Sequence, residues 1–217
     1  MVGQVTAIGV AGLSLCLVWL DLSTLRLPEV RALKAYLPKT ESFVPPSSCL
    51  GPSIALPSSE LNQMSVFLEK IYDNNGVPYA SEDIARTVFC DPAKTIPREV
   101  KELRVQLYLR LHFSRDKRWT IYLNRINVGD QQYGVAYAAQ YYFNKQVSQL
   151  SIADEALILV LPQRPNYYSP YRHPDRALVR RNDLIESLKG IGAISRQEAE
   201  TASSAPLGVI DRVSPQE

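Results

Sequence analysis

Residues 114–165 constrain the fold more than any other part of the chain, because helix starts, turns and helix stops follow one another there in a fixed order. Ser114 precedes Trp119, Tyr122, Leu123 and Ile126, which recur at helical spacing, so it can cap a helix whose apolar stripe they form. Ser151 and Asp154 have the spacing of a capping box and open an apolar helix that Pro162 ends. Between these two helices lie Gly129, Gly134 and an aromatic group, Tyr137, Tyr141, Tyr142 and Phe143. Tyrosines in such a group can stack on a sugar, but at helical spacing beside Ala138 and Ala139 they fit a core equally well.

The flanks extend the same pattern. Leu61, Met64, Phe67, Leu68 and Ile71 predict a helix over residues 60–72 with one buried stripe. A second begins near Thr95, with Pro97 in its first turn and Val100, Leu103, Leu107 and Leu111 along one face. His173-Pro174-Asp175 opens another, with Leu178, Leu184, Ile185 and Leu188 inside and Gly190 as its stop. Ser195 and Glu198 repeat the capping box for a last short helix. No comparable run alternates with period two, so the predicted fold is all-α or mainly α, with any strands short.

A chain of 217 residues holds one ordinary domain and an appendage. The net charge of +2, with no basic arm or aromatic-studded basic strand, argues against a nucleic-acid partner. Cys16, Cys49 and Cys90 give neither a disulfide framework nor a metal-ligand spacing. Residues 2–20 carry no formal charge and have the length of a bilayer span. No basic residue precedes them and no small-residue cleavage site follows, which favours an uncleaved anchor over a signal peptide. Leu15 fills the position before Cys16 where a lipoprotein site needs a small residue.

Arg26, Arg31 and Lys34 follow the span, so the positive-inside rule alone would leave the rest of the chain in the cytoplasm. Prolines 28, 38, 45, 46, 52 and 57 make residues 22–59 linker-like. The expected organisation is an anchor at 1–21, a linker at 22–59, a helical domain at 60–212 and a tail at 213–217.

The ordered residues also carry a resemblance. Ser114-Arg115, Tyr122-Leu123-Asn124, Gly129, Tyr133-Gly134, Ala138-Ala139, Tyr142-Phe143-Asn144-Lys145, Leu161-Pro162 and Arg180-Arg181 are similar to a known series. In the peptidoglycan glycosyltransferases of family 51 that series reads S-K-x-x-I-L-E-x-Y-L-N, G-x-x-x-Y-G-x-x-x-A-A, Y-F-G-K, L-x-x-x-E-A-A-x-L-A-x-L-P and R-R-x-x-V-L. The resemblance implies a lysozyme-like helical domain that polymerises a lipid-linked disaccharide-peptide at the outer side of the bacterial cytoplasmic membrane. A longer N-terminus with a short basic leader would reconcile that side with the charges after the span. The implied partners are the lipid-linked precursor, the membrane and cell-wall synthesis proteins, and the resemblance implies no cofactor.

The implied reaction joins a sugar hydroxyl to the anomeric carbon of a chain that leaves as a lipid diphosphate. It needs a carboxylate to take the hydroxyl proton and cations to neutralise the leaving group. By the family pattern Glu69 falls on the general base, and Glu102 on the second carboxylate. Arg86, Lys94 and Arg98 fall on the cations that bind substrate. Taken alone, Glu69 is equally an exposed charge on an amphipathic helix. Arg98 and Glu102, four apart on one helical face, equally make a salt bridge. Arg180-Arg181 fits a tie between helices as well as a ligand contact, while Asn124 and Tyr122 fit architecture better than catalysis.

The upstream motifs depart from the pattern. Lys70 stands for an aspartate, Glu82 and Asp83 for two glutamines, Glu99 for a lysine, and Arg118-Trp119-Thr120 for I-L-E. Gly76 cannot serve both upstream motifs, so the connection between the two glutamates is shorter than the pattern requires. Acidic residues near a leaving diphosphate have the wrong sign. A divalent ion held by Glu82, Asp83 and Glu99 could restore it, though their spacing does not demand one. The alternative function is therefore an inactive relative that keeps the helical scaffold to bind a partner at the membrane.

Overall fold

The structure is a computed structural model that describes residues 30, 32–40, 42–44, 53–74, 84–85 and 96–211, with backbone alone at 42–44, 73–74 and 96–98. Among them the main helices are α1 (Asn62–Asn74), α2 (Ile96–His112), α3 (Arg115–Leu123), α4 (Val135–Ala138), α5 (Ile152–Val160), α6 (Pro174–Gly190) and α7 (Arg196–Ser204). Four short strands, β1 (Ser42–Val44), β2 (Ser53–Ala55), β3 (Asn127–Gly129) and β4 (Gln132–Tyr133), form one sheet in the order β1-β2-β4-β3. The fold is mainly α, as the helical spacing predicts.

Local signals set the helix ends. Ser114 caps α3 by accepting from the Lys117 amide. Ser151 and Asp154 close a reciprocal capping box on α5, and Ser195 and Glu198 do the same on α7. Pro162 does not stop α5 abruptly but sits in a 3₁₀ turn, Leu161–Gln163, that continues it. Helix α1 starts two residues later than predicted, because the Glu60 and Leu61 amides bond back to Pro57 and Ser58 in a turn. Gly190 ends α6 without a left-handed conformation, which falls instead on Gly192 at φ 66°. At the end of the π-helical turn Ala139–Phe143, Asn144 takes φ 53°. Asparagine tolerates that region, so it can stand where the family pattern has glycine.

Two apolar clusters hold these elements. The larger joins Leu61, in the turn before α1, and Met64, Phe67 and Leu68 of α1 to Trp119 and Leu123 of α3 and to the buried faces of α5, α6 and α7. Tyr142 lies in it with its hydroxyl donating to the Val128 carbonyl at 2.7 Å, so this tyrosine is core. The smaller joins Val105, Tyr108 and Leu109 of α2 to Ile121 of α3, Ile84, Ala85, and Val30, Leu33, Tyr36 and Ala55. Residues 22–59, expected as a linker, thus supply Val30, Leu33, Tyr36 and Ala55 to this second core and also form β1 and β2.

The expected apolar face of α2 is not its buried face. Val100, Leu103 and Leu111 are 51%, 63% and 62% exposed. The helix has apolar residues on two sides, and Val105, Tyr108 and Leu109 meet Tyr36 and Ile121 in the smaller cluster. Residues 2–20 lie outside the described residues, and no described helix is long and apolar enough to cross a membrane.

Asn124 couples the two halves. Fully buried, it accepts from the Leu56 amide at 2.9 Å and donates to the Leu56 and Tyr36 carbonyls at 2.8 and 3.1 Å. A Cβ at Gly134, where φ is 84°, would come within 2.9 Å of the Asn124 carbonyl oxygen, so that site accepts only glycine. Asn124→Ala leaves these backbone groups without partners and should cost about 2–3 kcal/mol, read as a lower urea midpoint with unchanged slope. An unchanged midpoint would mean that the clamp contributes nothing.

Candidate active site

Helix α1 carries Glu69 at the edge of its buried stripe, one residue past Leu68, so the carboxylate emerges half-exposed rather than entering the core. There Arg115 Nη1, from the first turn of α3, donates to Glu69 Oε1 at 3.0 Å. Three residues on, Tyr72 stacks on Trp119 with ring centroids 5.3 Å apart. The C-terminal half of α1 is thus pinned to α3 by an ion pair and a ring pair. Lys70, where the family pattern has aspartate, donates to the Gly192 carbonyl at 3.0 Å and ties α1 to the turn after α6.

Glu102 lies on α2, half-buried and one helical turn after Arg98, of which only the backbone is described. Its helix packs into the smaller cluster, whereas the helix of Glu69 packs into the larger, so the two carboxylates come from the two sides of α3. Glu99 is exposed in the first turn of α2. Arg86, Lys94, Glu82 and Asp83 lie outside the described residues. Among the described residues no group of three or more His, Cys, Asp or Glu could hold a metal ion.

The corner between α2 and α3 concentrates positive charge. Arg110 is in the last turn of α2, Arg115 opens α3, and Arg118 lies three residues further along it. Arg118 Nη1 donates to the Phe113 carbonyl at 2.8 Å, which folds the side chain back over the corner. Burial first, then the charges of Arg115 and Arg110, hold the Arg118 guanidinium below its ordinary pKa. The role of Arg115 beside Glu69 had a sequence signal in the basic residue that follows Ser114, but its partner is 46 positions away and no spacing reveals it.

Other polar residues prove architectural. Arg181 is 1% exposed and donates to the carbonyls of Ser203, Ala205 and Pro206, while Arg180 bonds the Gln163 side chain. Of the pair left open by the sequence, Arg181 therefore ties α6 to the end of α7. His173 precedes α6 as its cap residue without a side-chain capping bond. Glu155 was not anticipated. It is buried in α5, where the family pattern has alanine, and desolvation with the neighbouring Asp154 charge pushes its pKa up to about 8.

Comparison with known proteins finds relatives of this chain. Residues 80–189 match the family model described as Transglycosylase. The chain is 35% identical over 129 residues to Penicillin-binding protein 1F of Bacillus subtilis (strain 168), covering 59% of this chain and 18% of that protein. It is 34% identical over 134 residues to Penicillin-binding protein 1A of Escherichia coli (strain K12), covering 62% of this chain and 16% of that one. The crystal structure of Penicillin-Binding Protein 1A from Haemophilus influenzae aligns with a TM-score of 0.42 and 34% identity over 47% of this chain and 16% of that chain. The chain spans less than a fifth of the length of these curated relatives.

Proposed function

Since the chain belongs to the transglycosylase family, we propose that it is a membrane-anchored peptidoglycan glycosyltransferase that joins lipid-linked disaccharide-peptides into glycan strands. Residues 2–20 would be the anchor, keeping residues 60–212 beside a substrate that cannot leave the bilayer. The observation that carries this reading is the placement of Glu69, a half-exposed carboxylate held at 3.0 Å by Arg115. Such a group can receive a proton from an attacking sugar hydroxyl without first being extracted from the core.

In the proposed step the hydroxyl oxygen bonds to the anomeric carbon, Glu69 takes the hydroxyl proton, and the bond to the diphosphate breaks. Its electron pair leaves with the lipid diphosphate. Arg86, Lys94 and Arg98 would neutralise that charge, and Glu102 would act as the second carboxylate. A second reading is favoured by Lys70, which stands in the motif position of an aspartate and is spent on the Gly192 carbonyl. In that reading the chain is an inactive scaffold that binds a partner in cell-wall synthesis.

Polymerisation of a labelled lipid-linked disaccharide-peptide by the purified chain separates the two. Glu69→Gln and Glu102→Gln should each lower the rate by at least about a hundredfold while the melting temperature holds. A folded wild-type protein that forms no polymer would favour the scaffold.

A further inference from the structure

We propose that the N-terminal half of α6 and the loop before it form a docking surface for an acidic, amphipathic segment of a partner protein. The carboxylates of that segment meet Arg164 and Arg176, and its apolar side chains cross Val179 into a groove beside Leu178. The surface is independent of Glu69. Lys70, the next residue on α1, reaches the turn after α6, whereas Arg176 lies at the other end of that helix, about 20 Å away at 1.5 Å per residue.

Tyr167 organises the positive half. Arg176 Cζ stands 4.5 Å and Arg164 Cζ 5.8 Å from the centroid of its ring, so both guanidiniums are held on one aromatic side chain. The ring is itself fixed. The Tyr167 and Tyr168 amides both donate to the Arg164 carbonyl at 3.0 Å, and Tyr168 packs edge-on against Tyr167 and onto the larger cluster. Among the described residues neither Arg164 nor Arg176 pairs with a carboxylate. A guanidinium stacked on a ring keeps the N–H groups at its edge for a carboxylate fork. Arg180 and Arg172 add charge nearby but are engaged, the first by Gln163 and Asp183 and the second by Asp130.

The apolar half adjoins it. Val179, one turn along α6 from Arg176, is 62% exposed, and by helical spacing it falls between Arg176 and Leu178 around the helix. Beyond it opens a groove of about 400 Å³ lined by Leu178, Pro206 and Leu207, with Asp175 at its polar side. The far wall is fixed, because Arg181 bonds the Ser203, Ala205 and Pro206 carbonyls. Arginine clusters recognise acidic motifs, and tyrosine and arginine around an apolar contact are the composition of interface hot spots. A sugar polymer has no side chain for such a groove, and a flat lipid surface would leave it empty. An acidic peptide satisfies both halves.

The test is fluorescence anisotropy of a short labelled peptide that alternates glutamate with leucine, titrated with the full chain at low salt. Arg164→Ala, Arg176→Ala and Val179→Asp should each weaken binding about tenfold while the melting temperature holds, since all three side chains are exposed. Arg196→Ala removes the same charge from the start of α7, where Arg196 pairs with Glu200, and should leave binding unchanged. Absence of peptide binding overturns the proposal, as does equal weakening by Arg196→Ala, which would mean diffuse charge alone. Equal binding of a glutamine-leucine peptide overturns the role of the two arginines. Binding to phosphatidylglycerol vesicles or to isolated glycan strands that needs Arg164 and Arg176, in place of peptide binding, would assign the surface to a lipid or a polysaccharide instead.

Discussion

Glu155→Ala should make the protein more stable at pH 8 by about 4 kcal/mol, and slightly less stable at pH 4. Glu155 is 4% exposed, its Oε2 has no hydrogen-bond partner, and its carboxyl is pushed from 4.5 to about 8 by desolvation and the Asp154 charge. In the unfolded chain the group loses its proton near its ordinary value, whereas the folded protein retains it until about pH 8. Between those two values the native state binds the extra proton, so stability falls as pH rises, by about 1.4 kcal/mol per pH unit. Above the folded value the loss is complete and the curve flattens.

Alanine, the residue of the family pattern at this position, removes that slope and leaves only the packing loss, which is what shows at pH 4. Glu155→Gln removes the slope while keeping the side-chain shape. Urea denaturation across the pH range checks it. Parallel stability curves for wild type and Glu155→Ala would show that this carboxyl ionises without hindrance.

Arg181→Ala should be the most damaging single change in the C-terminal half, costing about 3–5 kcal/mol. The guanidinium holds the carbonyls of Ser203, Ala205 and Pro206 at 3.3, 2.8 and 2.9 Å and the Asn182 side chain at 3.0 and 2.9 Å. Burial lowers its pKa while the nearby Asp154 charge raises it, so removing Arg181 also strips a cation from the surroundings of a buried carboxylate. Asp154 keeps Lys145 at 2.7 Å, which limits that part of the damage.

Arg181→Lys should rescue little, because an ammonium cannot span carbonyls spread along the exit of α7 in the plane of a fork. Thermal melting reads both variants. A shift under about 2 °C for Arg181→Ala, with activity lost, would instead make this arginine a ligand contact.

What the sequence discloses about this fold is local. Ser114, Ser151 with Asp154, and Ser195 with Glu198 set helix starts through bonds to their own next turn, and each is found where expected. The buried face of α2 is not legible in this way. Val100, Leu103, Leu107 and Leu111 form as regular a row as Val105, Tyr108 and Leu109, and only partners distant in sequence, Tyr36 and Ile121, decide between them.

The same limit applies at the site. Motif order places Glu69 and Glu102 on helices, but the Arg115 pairing of the first depends on how α1 lies across α3. Glu155 was visible as an acid in an apolar run, yet its depth depends on α5 packing against α6 and α7. Gly190 ends α6 as expected, but the left-handed residue is Gly192, because both glycines offer that freedom and the turn uses the later one.

The division of the interior into two clusters bears on how this chain diverged. Helix α1 is anchored wholly in the larger cluster and α2 in the smaller, and α3 serves both through Trp119 and Leu123 on one side and Ile121 on the other. Of the segment between α1 and α2 the described residues are Ile84 and Ala85, and both pack into the smaller cluster. Changes there reach the smaller cluster and α2 while the larger cluster keeps its own interior, so a lineage can rewrite the upstream motifs while the downstream scaffold continues to fold. Sequence drift would then collect on one flank of α3 and conservation on the other, with that short helix as the watershed.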